Sequence, residues 1–362
     1  MSRAHAPGRV NLIGEHTDYT GGLTLPMAVD MGVTCEATLR TDGRVTAESR
    51  EMPGEHVEAD VASVAPGDVR GWAAYVIGTV WALREAGVPV PACDLRIAST
   101  VPAGAGLSSS AAVECAVALA VLDLAGATMP AREVARVAKR AENEFVGAPT
   151  GSMDQVASML GEADHLIFFD TGEDTMRTVP FPLRAQGLHL LVIDTHAHHQ
   201  LVVDEYGERR RALEAATVLL GVPSLRAVTD AAAVEQLADP VLRRRARHVV
   251  TENARVLRTI ALLEAGDIAA VGPVLTEGHR SLRDDLEVSC EELDVAVDAA
   301  CAAGALGARM VGGGFGGSAI ALVPTDAVAA VTTAVTAAYA ARGWRAPDVH
   351  DVTPAQGAHL VA

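Results

Sequence analysis

The sequence predicts an α+β fold made of two domains, the first covering residues 1–175 and the second residues 176–362. Extended and helical patterns follow one another along the whole chain in mixed order, which is typical of this fold class. The composition of the segments also changes near residue 175, where long stretches rich in Arg, Glu, Ala and Leu begin. A chain of 362 residues is long enough for two such domains.

The first domain is predicted to begin with extended chain around a polar centre. Residues 1–13 are extended in pattern, and a turn follows at Gly14. After a further turn at Gly21-Gly22, residues 23–39 form a strand-rich stretch. A helix is predicted from about residue 72 to residue 86, because apolar residues recur there at spacings of three and four.

The rest of the first domain is predicted as one strand and two helices with two glycine-containing loops. The strand covers residues 94–100 and leads into the segment 101–110. Residues 111–127 have the length and the apolar period of a buried helix. Another helix, from residue 131 to about residue 146, precedes the loop 147–155.

The second domain is predicted to begin with a strand at residues 188–196. Long helical stretches follow this strand, and a second glycine run lies within residues 308–324. The segment from about residue 326 to residue 341 is predicted as the final helix. The sequence contains no internal repeat and no low-complexity linker.

Composition and charge exclude several classes of protein. Hydrophobic residues make up 49% of the chain, which excludes intrinsic disorder. The 29 basic and 46 acidic side chains give a formal charge of −17, so no basic face for nucleic acid is predicted. The most apolar stretch contains Glu114 and Asp123, and no membrane span is expected. The chain opens without an apolar signal segment, and five cysteines without a C-x-x-C pair favour a reduced cytoplasm.

Lys139 is the only lysine in the sequence, and it lies in a helical context with no glycine nearby. A Walker A loop and a protein-kinase fold both need a lysine on the nucleotide phosphates, so both are excluded. Any bound nucleotide would instead be held by backbone amides, Mg²⁺ and arginine. The bias toward Arg and Ala is typical of a GC-rich genome.

Residues 101–110 combine the features of a phosphate-binding loop. Gly104, Ala105 and Gly106 allow the backbone to approach a ligand closely, and three serines then open a long apolar helix. The unpaired amides and the positive dipole end at such a helix start attract phosphate. The alternative is an ordinary serine-capped helix that follows a glycine turn.

The second glycine run has the G-x-G-x-x-G spacing at Gly312, Gly314 and Gly317. A dinucleotide-binding motif should open a helix and be followed by an acidic residue about twenty positions later. Here a strand-like segment follows at once, and no acidic residue lies near position 337. The sequence therefore argues against NAD and favours a loop or tight hairpin packed beside another element, with a purely structural turn as the alternative.

The segment GEHTDY places Glu15, His16 and Asp18 around one turn. Two carboxylates and an imidazole in such proximity suit a polyhydroxyl ligand, because each group takes part in several hydrogen bonds. A metal site and a solvated surface loop are the alternatives.

Two further groups of residues are candidates for chemistry. Glu142 and Asp154 flank the loop of residues 147–151, and carboxylates there suit Mg²⁺ binding or a general base, although most acidic residues are simply solvated. The segment HAHH contains His196, His198 and His199. Without further ligands at metal-binding spacing, a polar strand end is favoured over a metal site.

Three segments, in their order, resemble the signature motifs of the GHMP small-molecule kinases: GRVNLIGEHTDY (residues 8–19), VPAGAGLSSSAA (residues 101–112) and GARMVGGGFGG (residues 307–317). The first segment has the form typical of galactokinases, and residues 141–155 and 279–294 are also similar to galactokinase sequences. The resemblance covers nearly the whole chain. Its first motif is the most specific, because the glycine segments are shared with mevalonate and homoserine kinases. Together with the composition, it indicates a GC-rich bacterial source.

The resemblance implies a two-domain GHMP kinase fold with the active site between the domains. The first domain would be a mixed sheet with helices, and the second a ferredoxin-like α/β layer. Members of this family usually carry a further stretch before the first motif, which raises the expectation of a truncated or misassigned start at Met1. The loop before Asp154 reads APTGSM, where relatives often have cysteine and isoleucine at packing positions.

The resemblance also implies a role for each matching residue. Arg9 corresponds to the arginine that stabilises the transition state and a sugar oxygen, and Asp154 corresponds to the catalytic base. Ser110 and Glu142 fall on the Mg²⁺ positions, and His199 matches a family histidine. The residues expected to bind the sugar are Glu15, His16, Thr17, Asp18, Gly151 and Tyr206. The residues expected around the ATP phosphates are Gly104, Ala105, Gly106, Leu107, Ser108, Ser109 and Ser110.

The reaction implied by the resemblance transfers the γ-phosphoryl group of MgATP to the anomeric O1 of α-D-galactose. This is the first committed step of galactose catabolism through the Leloir pathway, and it yields α-D-galactose 1-phosphate and ADP. The alternatives are a related sugar-1-kinase acting on N-acetylgalactosamine or arabinose, and a non-catalytic sensor of galactose and ATP, against which the intact residues 109–112 argue. The expected partners are small molecules, without nucleic acid or membrane, and the expected state is a monomer or weak homo-oligomer.

Overall fold

The computed structural model of the protein describes residues 1–102, 104–198 and 202–361. The strands are β1 (Ser2–Asn11), β2 (Leu23–Thr24), β3 (Pro26–Leu39), β4 (Arg44–Ser49), β5 (His56–Asp60), β6 (Cys93–Ser99), β7 (His165–Asp170), β8 (Thr175–Pro180), β9 (Leu188–His198), β10 (Gly307–Val311), β11 (Gly316–Pro324), β12 (Asp348–Val352) and β13 (His359–Leu360). The α-helices are α1 (Trp72–Glu85), α2 (Ser109–Leu124), α3 (Ala131–Arg140), α4 (Met153–Leu160), α5 (Val202–Leu220), α6 (Pro240–Glu264), α7 (Val271–Ser281), α8 (Glu291–Ala302) and α9 (Val328–Ala340).

A six-stranded sheet organises the N-terminal half, with the strand order β13-β1-β3-β6-β4-β5. Strands β1, β3 and β6 pair antiparallel, whereas β4 runs parallel to β6. Along β3 the alternate residues Val33, Cys35 and Ala37 are buried in the core, because successive side chains of a strand point to opposite faces. Helices α1, α2 and α4 contact this sheet and cover its apolar face.

Helix α2 confirms the predicted buried helix, although it begins two residues earlier and ends three residues earlier than expected. It lies between the sheet and helices α1, α3 and α4. Its apolar side chains therefore point in all directions, and Cys115, Val117 and Val121 are buried. This burial fixes the start of α2, where the serines lie, against the middle of the sheet.

The prediction of one regular helix over residues 131–146 was wrong for its last six residues. Residues Ala131–Arg140 are α-helical, but residues Ala141–Val146 form a π-helical turn that ends at Gly147 with φ 84°. A π turn is wider than an α turn and is frequent at functional sites. This turn carries Glu142, whose side chain bonds to the start of α2 instead of continuing a regular helix face.

A four-stranded antiparallel sheet, in the order β10-β11-β9-β12, organises the C-terminal half. One face places Ile193 and Met310 in a core with α8 and α9. The other face places Val192 and Ile320 in a second core that includes Val10 and other residues of the N-terminal half. Apolar packing therefore fixes the first motif against the second sheet.

The chain end connects the two sheets. Strand β12 joins the second sheet, and β13 returns to pair with β1 in the first sheet. A smaller three-stranded sheet pairs β7 with β2 on one side and with β8 on the other. The division of the chain at residue 175 stays a prediction. The expected helices near residues 72–86 and 326–341 are confirmed as α1 and α9.

Among the residues that the structure describes, no helix is both long and apolar enough to cross a membrane.

Candidate active site

The first motif, the loop before α4 and the second glycine run meet around a cavity of about 160 Å³. The residues expected to bind the sugar or catalyse the reaction come from different parts of the chain, yet all of them except Thr17 lie on its wall. The lining residues are Arg9, Glu15, His16, Asp18, Thr150, Gly151, Met153, Asp154, Tyr206, Gly312 and Gly313.

Arg9 and Asp154 form a bidentate pair at this cavity. The Nε and Nη2 atoms of Arg9 each donate to one carboxylate oxygen of Asp154, both at 2.7 Å. Burial alone would lower the pKa of the Arg9 guanidinium, but the Asp154 carboxylate raises this pKa above its usual value. Arg9 is 5% exposed, so the pair is largely shielded from solvent and its attraction is stronger than on a surface. Asp154 reaches this position because it lies in the first turn of α4.

The loop before α2 turns its carbonyl groups toward the protein. The carbonyl oxygen of Ala105 accepts from the Ser318 hydroxyl at 2.6 Å, and that of Gly106 accepts from Arg9 Nη1 at 2.7 Å. The carbonyl oxygen of Leu107 accepts from the backbone amide of Arg9 at 3.0 Å. Gly104 and Gly106 adopt left-handed φ values of 79° and 71°, which glycine tolerates without strain. With its acceptors occupied by the protein, the loop is suited to receive an anion.

Helix α2 starts without a side-chain cap among the described residues. Ser108, at the N-cap position, has φ 53° and ψ 53°, and its hydroxyl donates to an Asp154 carboxylate oxygen instead of capping the helix. Ser109 and Ser110 follow in the first turn, where no acidic side chain offsets the dipole. The amides at this helix start remain available for phosphate oxygens.

Glu142 lies beside this helix start and has neutral partners. Its Oε1 accepts from the Ser110 hydroxyl at 3.0 Å, and its Oε2 accepts from the Thr150 hydroxyl at 2.6 Å and from Gln155 Nε2 at 2.8 Å. Burial raises the pKa of Glu142. The same Gln155 amide also donates to Glu114 Oε2 at 3.1 Å. A carboxylate with neutral partners and a nearby hydroxyl is the donor set that a hard cation prefers.

Glu15 is held from several sides at the edge of the cavity. Its Oε2 accepts from Asn11 Nδ2 at 2.8 Å, and its Oε1 accepts from the Gly312 amide at 2.8 Å. The same Oε1 forms an ion pair with Arg309 Nη2 at 2.7 Å. Both carboxylate oxygens therefore have fixed positions, although the residue lines the cavity.

His16 is a neutral donor and acceptor in the same loop. Burial lowers its pKa to about 3, with a further contribution from His248. Its Nε2 lies 3.2 Å from the carbonyl oxygen of Gly313, which only accepts, so Nε2 carries the proton. Its Nδ1 then accepts from the Tyr19 hydroxyl at 2.8 Å.

Asp18 and Gly151 lie in direct contact across the cavity. A Cβ atom on Gly151 would fall 1.6 Å from Asp18 Oδ2, so any larger residue would require the Asp18 side chain or the loop to shift. Burial, together with the neighbouring Asp154 and Glu15 carboxylates, raises the pKa of Asp18 to about 7. The site therefore holds a carboxyl group that is half protonated near neutral pH.

Three aromatic rings close one side of the cavity. The Tyr206 ring lies 5.4 Å from the His16 ring and 5.5 Å from the Tyr19 ring, centroid to centroid. Arg210 lies over Tyr19, with its guanidinium carbon 5.9 Å from the ring centroid. Helix α5 thus brings Tyr206 to the first motif, where the resemblance placed a sugar-contacting tyrosine. His199 lies outside the described residues.

Thr17 is the one predicted sugar-binding residue that does not line the cavity. Its side chain is fully buried, and its hydroxyl lies 2.8 Å from the carbonyl oxygen of Gly14 and 2.7 Å from that of Leu23. These contacts join the two ends of the turn. The structure thus gives Thr17 a role in the shape of the loop.

The second glycine run confirms the predicted hairpin. Strands β10 and β11 pair antiparallel, so a strand and not a helix follows the G-x-G-x-x-G segment. A Cβ on Gly312 would lie 3.2 Å from the carbonyl oxygen of Gly106, and Gly317 lies beside the carbonyl oxygens of Gly104 and Ala105. The absence of side chains lets the hairpin backbone pack directly against the phosphate-loop backbone.

A second cavity, of about 430 Å³, opens beside the start of α2 and was not predicted from the sequence. Its wall is largely apolar and includes Trp72, Tyr75 and Val113 together with Ser109 and Ser110. The only sequence signal is the pair of aromatic residues in the first turn of α1, a pattern equally typical of core packing. The apolar wall of the cavity next to the helix start suits an apolar ligand.

The histidines of HAHH form no metal cluster within the described part of the chain. His196 ends near two aspartates, with Nε2 2.9 Å from Asp348 and Nδ1 3.5 Å from Asp194. The side chain of His198 and the whole of His199 lie outside the described part. For His196, the polar strand end stays a prediction.

Comparison with known families matches three regions of the chain. The galactokinase galactose-binding signature matches residues 3–38, the GHMP kinases N terminal domain matches residues 74–162, and the GHMP kinases C terminal domain matches residues 259–341. These regions contain the first motif, the phosphate loop with Asp154, and the glycine hairpin. The matched regions are thus the ones that meet around the cavity.

Individual relatives agree over nearly the full length. The chain is 52% identical to a galactokinase of Streptomyces coelicolor over 98% of this chain and 92% of that protein, and 46% identical to a galactokinase of Mycobacterium bovis over 98% and 97%. Its structure matches the crystal structure of Lactococcus lactis galactokinase complexed with galactose with a TM-score of 0.94 and 33% identity, over 99% of this chain and 94% of the other. The two-domain fold, the cavity and these likenesses together place the chain in the galactokinase family of the GHMP kinases.

Proposed function

We propose that the chain transfers the γ-phosphoryl group of ATP to the anomeric O1 hydroxyl of α-D-galactose, with α-D-galactose 1-phosphate and ADP as products. The observation that carries this proposal is the position of the Arg9–Asp154 pair. It lies on the wall of the first cavity and is joined through Ser108 to the uncapped start of α2. A sugar in that cavity and a phosphate at that helix would meet at this pair.

In the proposed reaction, Asp154 accepts the proton of the sugar O1 hydroxyl. The O1–Pγ bond forms as the bond between Pγ and the β,γ-bridging oxygen breaks, and ADP leaves with that electron pair. The transition state is loose, so most of the catalysis comes from position and charge. Arg9 remains protonated and faces the developing negative charge with planar donors. Its bidentate contact also fixes the carboxylate of Asp154 in one orientation.

The phosphate loop would hold the triphosphate through the amides of residues 104–110. Ser110 and Glu142 would hold Mg²⁺, because the hydroxyl and the carboxylate lie 3.0 Å apart and the described partners of Glu142 are neutral. When bound, Mg²⁺ supplies positive charge to the phosphate oxygens of ATP. Burial raises the pKa of Glu142, and the carboxylate therefore favours a cationic neighbour over isolation.

The adenine base would lie in the second cavity, beside Trp72 and Tyr75. Aromatic faces stack on a base whatever its hydrogen-bonding pattern, and the apolar wall removes the base from water. Ser109 and Ser110 line both this cavity and the phosphate loop. The base and the phosphates would thus bind on one continuous surface.

Glu15, His16, Asp18 and Tyr206 would recognise the sugar hydroxyls. Hydrogen bonds hold Glu15 and His16 in place, so an epimer with a displaced hydroxyl would leave a polar group unpaired and lose affinity. Thr17 would act through the shape of the loop. The Lactococcus lactis galactokinase was crystallised as a complex with galactose, and its structure matches this chain over 99% of its length, which supports galactose as the sugar.

We propose further that the protein works in the cytoplasm as a monomer or weak homo-oligomer, with its substrates as its only obligatory partners. Its five cysteines are free thiols, three of them buried, which suits a reducing compartment. Size-exclusion chromatography with light scattering tests the oligomeric state.

The proposed function is tested by ADP release across a panel of sugars, measured with and without Mg²⁺. Galactose is expected to give the highest kcat/KM, and glucose, N-acetylgalactosamine and arabinose much lower values. Turnover is expected to stop when Mg²⁺ is removed with a chelator. A higher kcat/KM for another sugar would reassign the substrate, and binding of galactose and ATP without ADP release would indicate a sensor.

A further inference from the structure

The turn of the first motif is buried, and its backbone needs partners. Strand β1 ends at Asn11, and two backbone bonds with Leu25 continue its pairing as far as the carbonyl oxygen of residue 13. The turn itself, at residues 14–16, leaves this pairing. Leu12, Gly14 and Glu15 are nevertheless shielded from solvent. Buried amides and carbonyls must be paired within the protein, since each unpaired group is costly. The residues that pair with this turn therefore determine its conformation.

Glu252 on α6 accepts from two successive amides of the turn. Its Oε1 lies 2.9 Å from the Gly14 amide nitrogen and 3.4 Å from the Glu15 amide nitrogen. Its other oxygen is 2.7 Å from Arg255 Nε, and the side chain is fully buried. Burial alone would raise the pKa of Glu252. The nearby side chains of Arg255, His248 and Arg309 nevertheless lower this pKa to about 2. The group that accepts from the turn is thus a charged carboxylate.

Two other residues of α6, close to Glu252 in the sequence, bind the turn at other points. His248 Nε2 donates to the carbonyl oxygen of Glu15 at 3.1 Å. Asn253 Oδ1 accepts from the Leu23 amide at 2.8 Å, where the chain leaves the turn. His248 and Glu252 are four residues apart and lie on one side of the helix, and Asn253 follows Glu252 directly, so one short stretch of α6 supplies three partners of the turn.

Arg309 on β10 completes the contacts from the opposite side. Its Nη1 donates to the carbonyl oxygen of Leu12 at 3.0 Å, and its Nη2 forms the 2.7 Å ion pair with Glu15 Oε1. Its side chain is 0% exposed. The guanidinium thus connects the backbone before the turn with the carboxylate that the turn carries into the cavity.

Glu252, His248, Asn253 and Arg309 all come from the C-terminal half, and none of them lines the first cavity. In the buried cluster, the two acids Glu15 and Glu252 are offset by Arg309 and Arg255, so the charges balance. Such clusters are costly to bury and are retained where they specify one arrangement. Besides their bonds to the turn and to one another, the side chains of these four residues have partners only within the described C-terminal half, namely Arg255, Ser281, Val249 and Met310. The described part of the phosphate loop instead bonds to Arg9, Ser318 and Asp154. The two sides of the cleft therefore have separate supports.

We propose that Glu252, His248, Asn253 and Arg309 are positioning residues that set galactose affinity by fixing the conformation of residues 12–16. This inference rests on the proposed assignment of the first cavity to the sugar. It predicts a selective defect, in which galactose binding is lost and nucleotide binding is retained. Substitution of a residue that merely stabilised the fold would weaken the binding of both ligands or of neither.

The decisive variant is Glu252→Gln, which keeps the size of the side chain and removes its charge. We expect the Kd for galactose, measured by calorimetry, to rise at least tenfold, and the Kd for MgADP to stay within about twofold of wild type. Hydrogen exchange on the ligand-free protein should show at least tenfold faster exchange of the Gly14 and Glu15 amides. Tyr339→Phe is the matched control, because it removes a buried 2.6 Å hydrogen bond to the Glu292 carbonyl in the C-terminal half, away from the turn.

If Glu252→Gln does not fold, Arg309→Lys tests whether these residues position the turn. Lysine keeps the positive charge but lacks the planar fork that reaches Leu12 and Glu15 together, so the same selective rise in the galactose Kd is expected. Equal losses of galactose and nucleotide affinity, or unchanged exchange of the turn amides, would overturn the proposal. If the wild-type protein does not bind galactose, the proposed function fails, and exchange on the free protein still reports whether these residues hold the turn.

Discussion

The two sides of the cleft present different parts of the chain to their ligands. On the sugar side, the side chains of Glu15, His16 and Asp18 face the cavity, and buried partners hold the first two in place. On the side proposed for the phosphates, the backbone would be the binding surface. There the carbonyls of residues 105–107 are turned into the protein, and the helix start is uncapped among the described residues.

This difference separates specificity from general charge recognition. Fixed side chains discriminate between hydroxyl arrangements, because a misplaced hydroxyl leaves a buried group unpaired. Main-chain amides and a helix dipole respond to negative charge and require mainly that side chains stay out of the way. Mutations on the sugar side should therefore change which sugar binds, and mutations near α2 should change how strongly the nucleotide binds. Arg9 and Asp154 lie where the two sides meet.

The largest effect is expected at that junction, for Asp154→Asn. The amide has the same shape but cannot accept the O1 proton, so kcat should fall about 1000-fold, within the range typical of a lost general base. Galactose affinity should survive, because the side chains of the first motif are unchanged. Steady-state kinetics and calorimetry on the same preparation measure the two quantities.

Asp123→Asn is the control for Asp154→Asn, because Asp123 is an exposed carboxylate near the other end of α2. A kcat for Asp154→Asn within about tenfold of wild type, a difference of only ~1.4 kcal/mol in activation free energy, would contradict the role of Asp154 as the base.

The sugar side is tested most directly by Gly151→Ala. The added Cβ would fall 1.6 Å from Asp18 Oδ2, so the carboxylate must move or the loop must shift. The KM for galactose should rise about 100-fold, in line with the cost of overpacking, and the KM for ATP should change little. Gly313→Ala is the matched control on the same cavity, since its Cβ would meet Tyr206 at an ordinary 3.7 Å. Similar losses in both variants would show that the Asp18 contact is not the cause.

The sequence alone was sufficient for the elements that carry a strong local signal. The glycine and serine composition of residues 101–110 predicted a loop that opens a helix, and the apolar length of α2 predicted its burial. Phosphate binding by this loop stays a prediction. The strand after Gly317 argued correctly against a dinucleotide motif. These features depend on neighbouring residues in the chain, so a pattern reveals them.

Features that depend on distant parts of the chain were not predicted. Nothing near Arg309 or Glu252 in the sequence indicates that they meet Glu15, because they come from different elements of the C-terminal half. The π turn at Glu142 follows from its bonds to Ser110 and Thr150, which helix periodicity does not encode. Several sites came from family resemblance, and Tyr206 is an example.

A smaller effect concerns the pH dependence of stability. Asp18 titrates near pH 4 in an unfolded chain and near 7 in the folded protein, where burial and then Asp154 raise its pKa. The folded state keeps the proton across this window, so the free energy of unfolding falls as pH rises from about 4 to 7 and stays lowered above it.

Asp18→Asn removes this titration. The ligand-free variant should be more stable than wild type by on the order of 2 kcal/mol at pH 8 and by less at pH 5. Its galactose binding should nevertheless be strongly weakened. Urea unfolding at the two pH values measures the difference in the free energy of unfolding between the variant and wild type. If the variant gained equal stability at both pH values, titration of Asp18 would not be the cause.

The smallest effect is expected on the nucleotide side, for Trp72→Ala. Loss of one aromatic face next to the helix start should raise the KM for ATP about tenfold, the cost typical of one stacked base, and leave the KM for galactose within twofold. Trp72→Phe keeps a ring in the same place and should recover most of the affinity, which separates stacking from the bond that Trp72 Nε1 donates to Glu55 at 2.6 Å. If Trp72→Ala raised the KM for galactose as much as the KM for ATP, the second cavity would not serve nucleotide binding alone. The sugar side and the nucleotide side of the site would then not be independent.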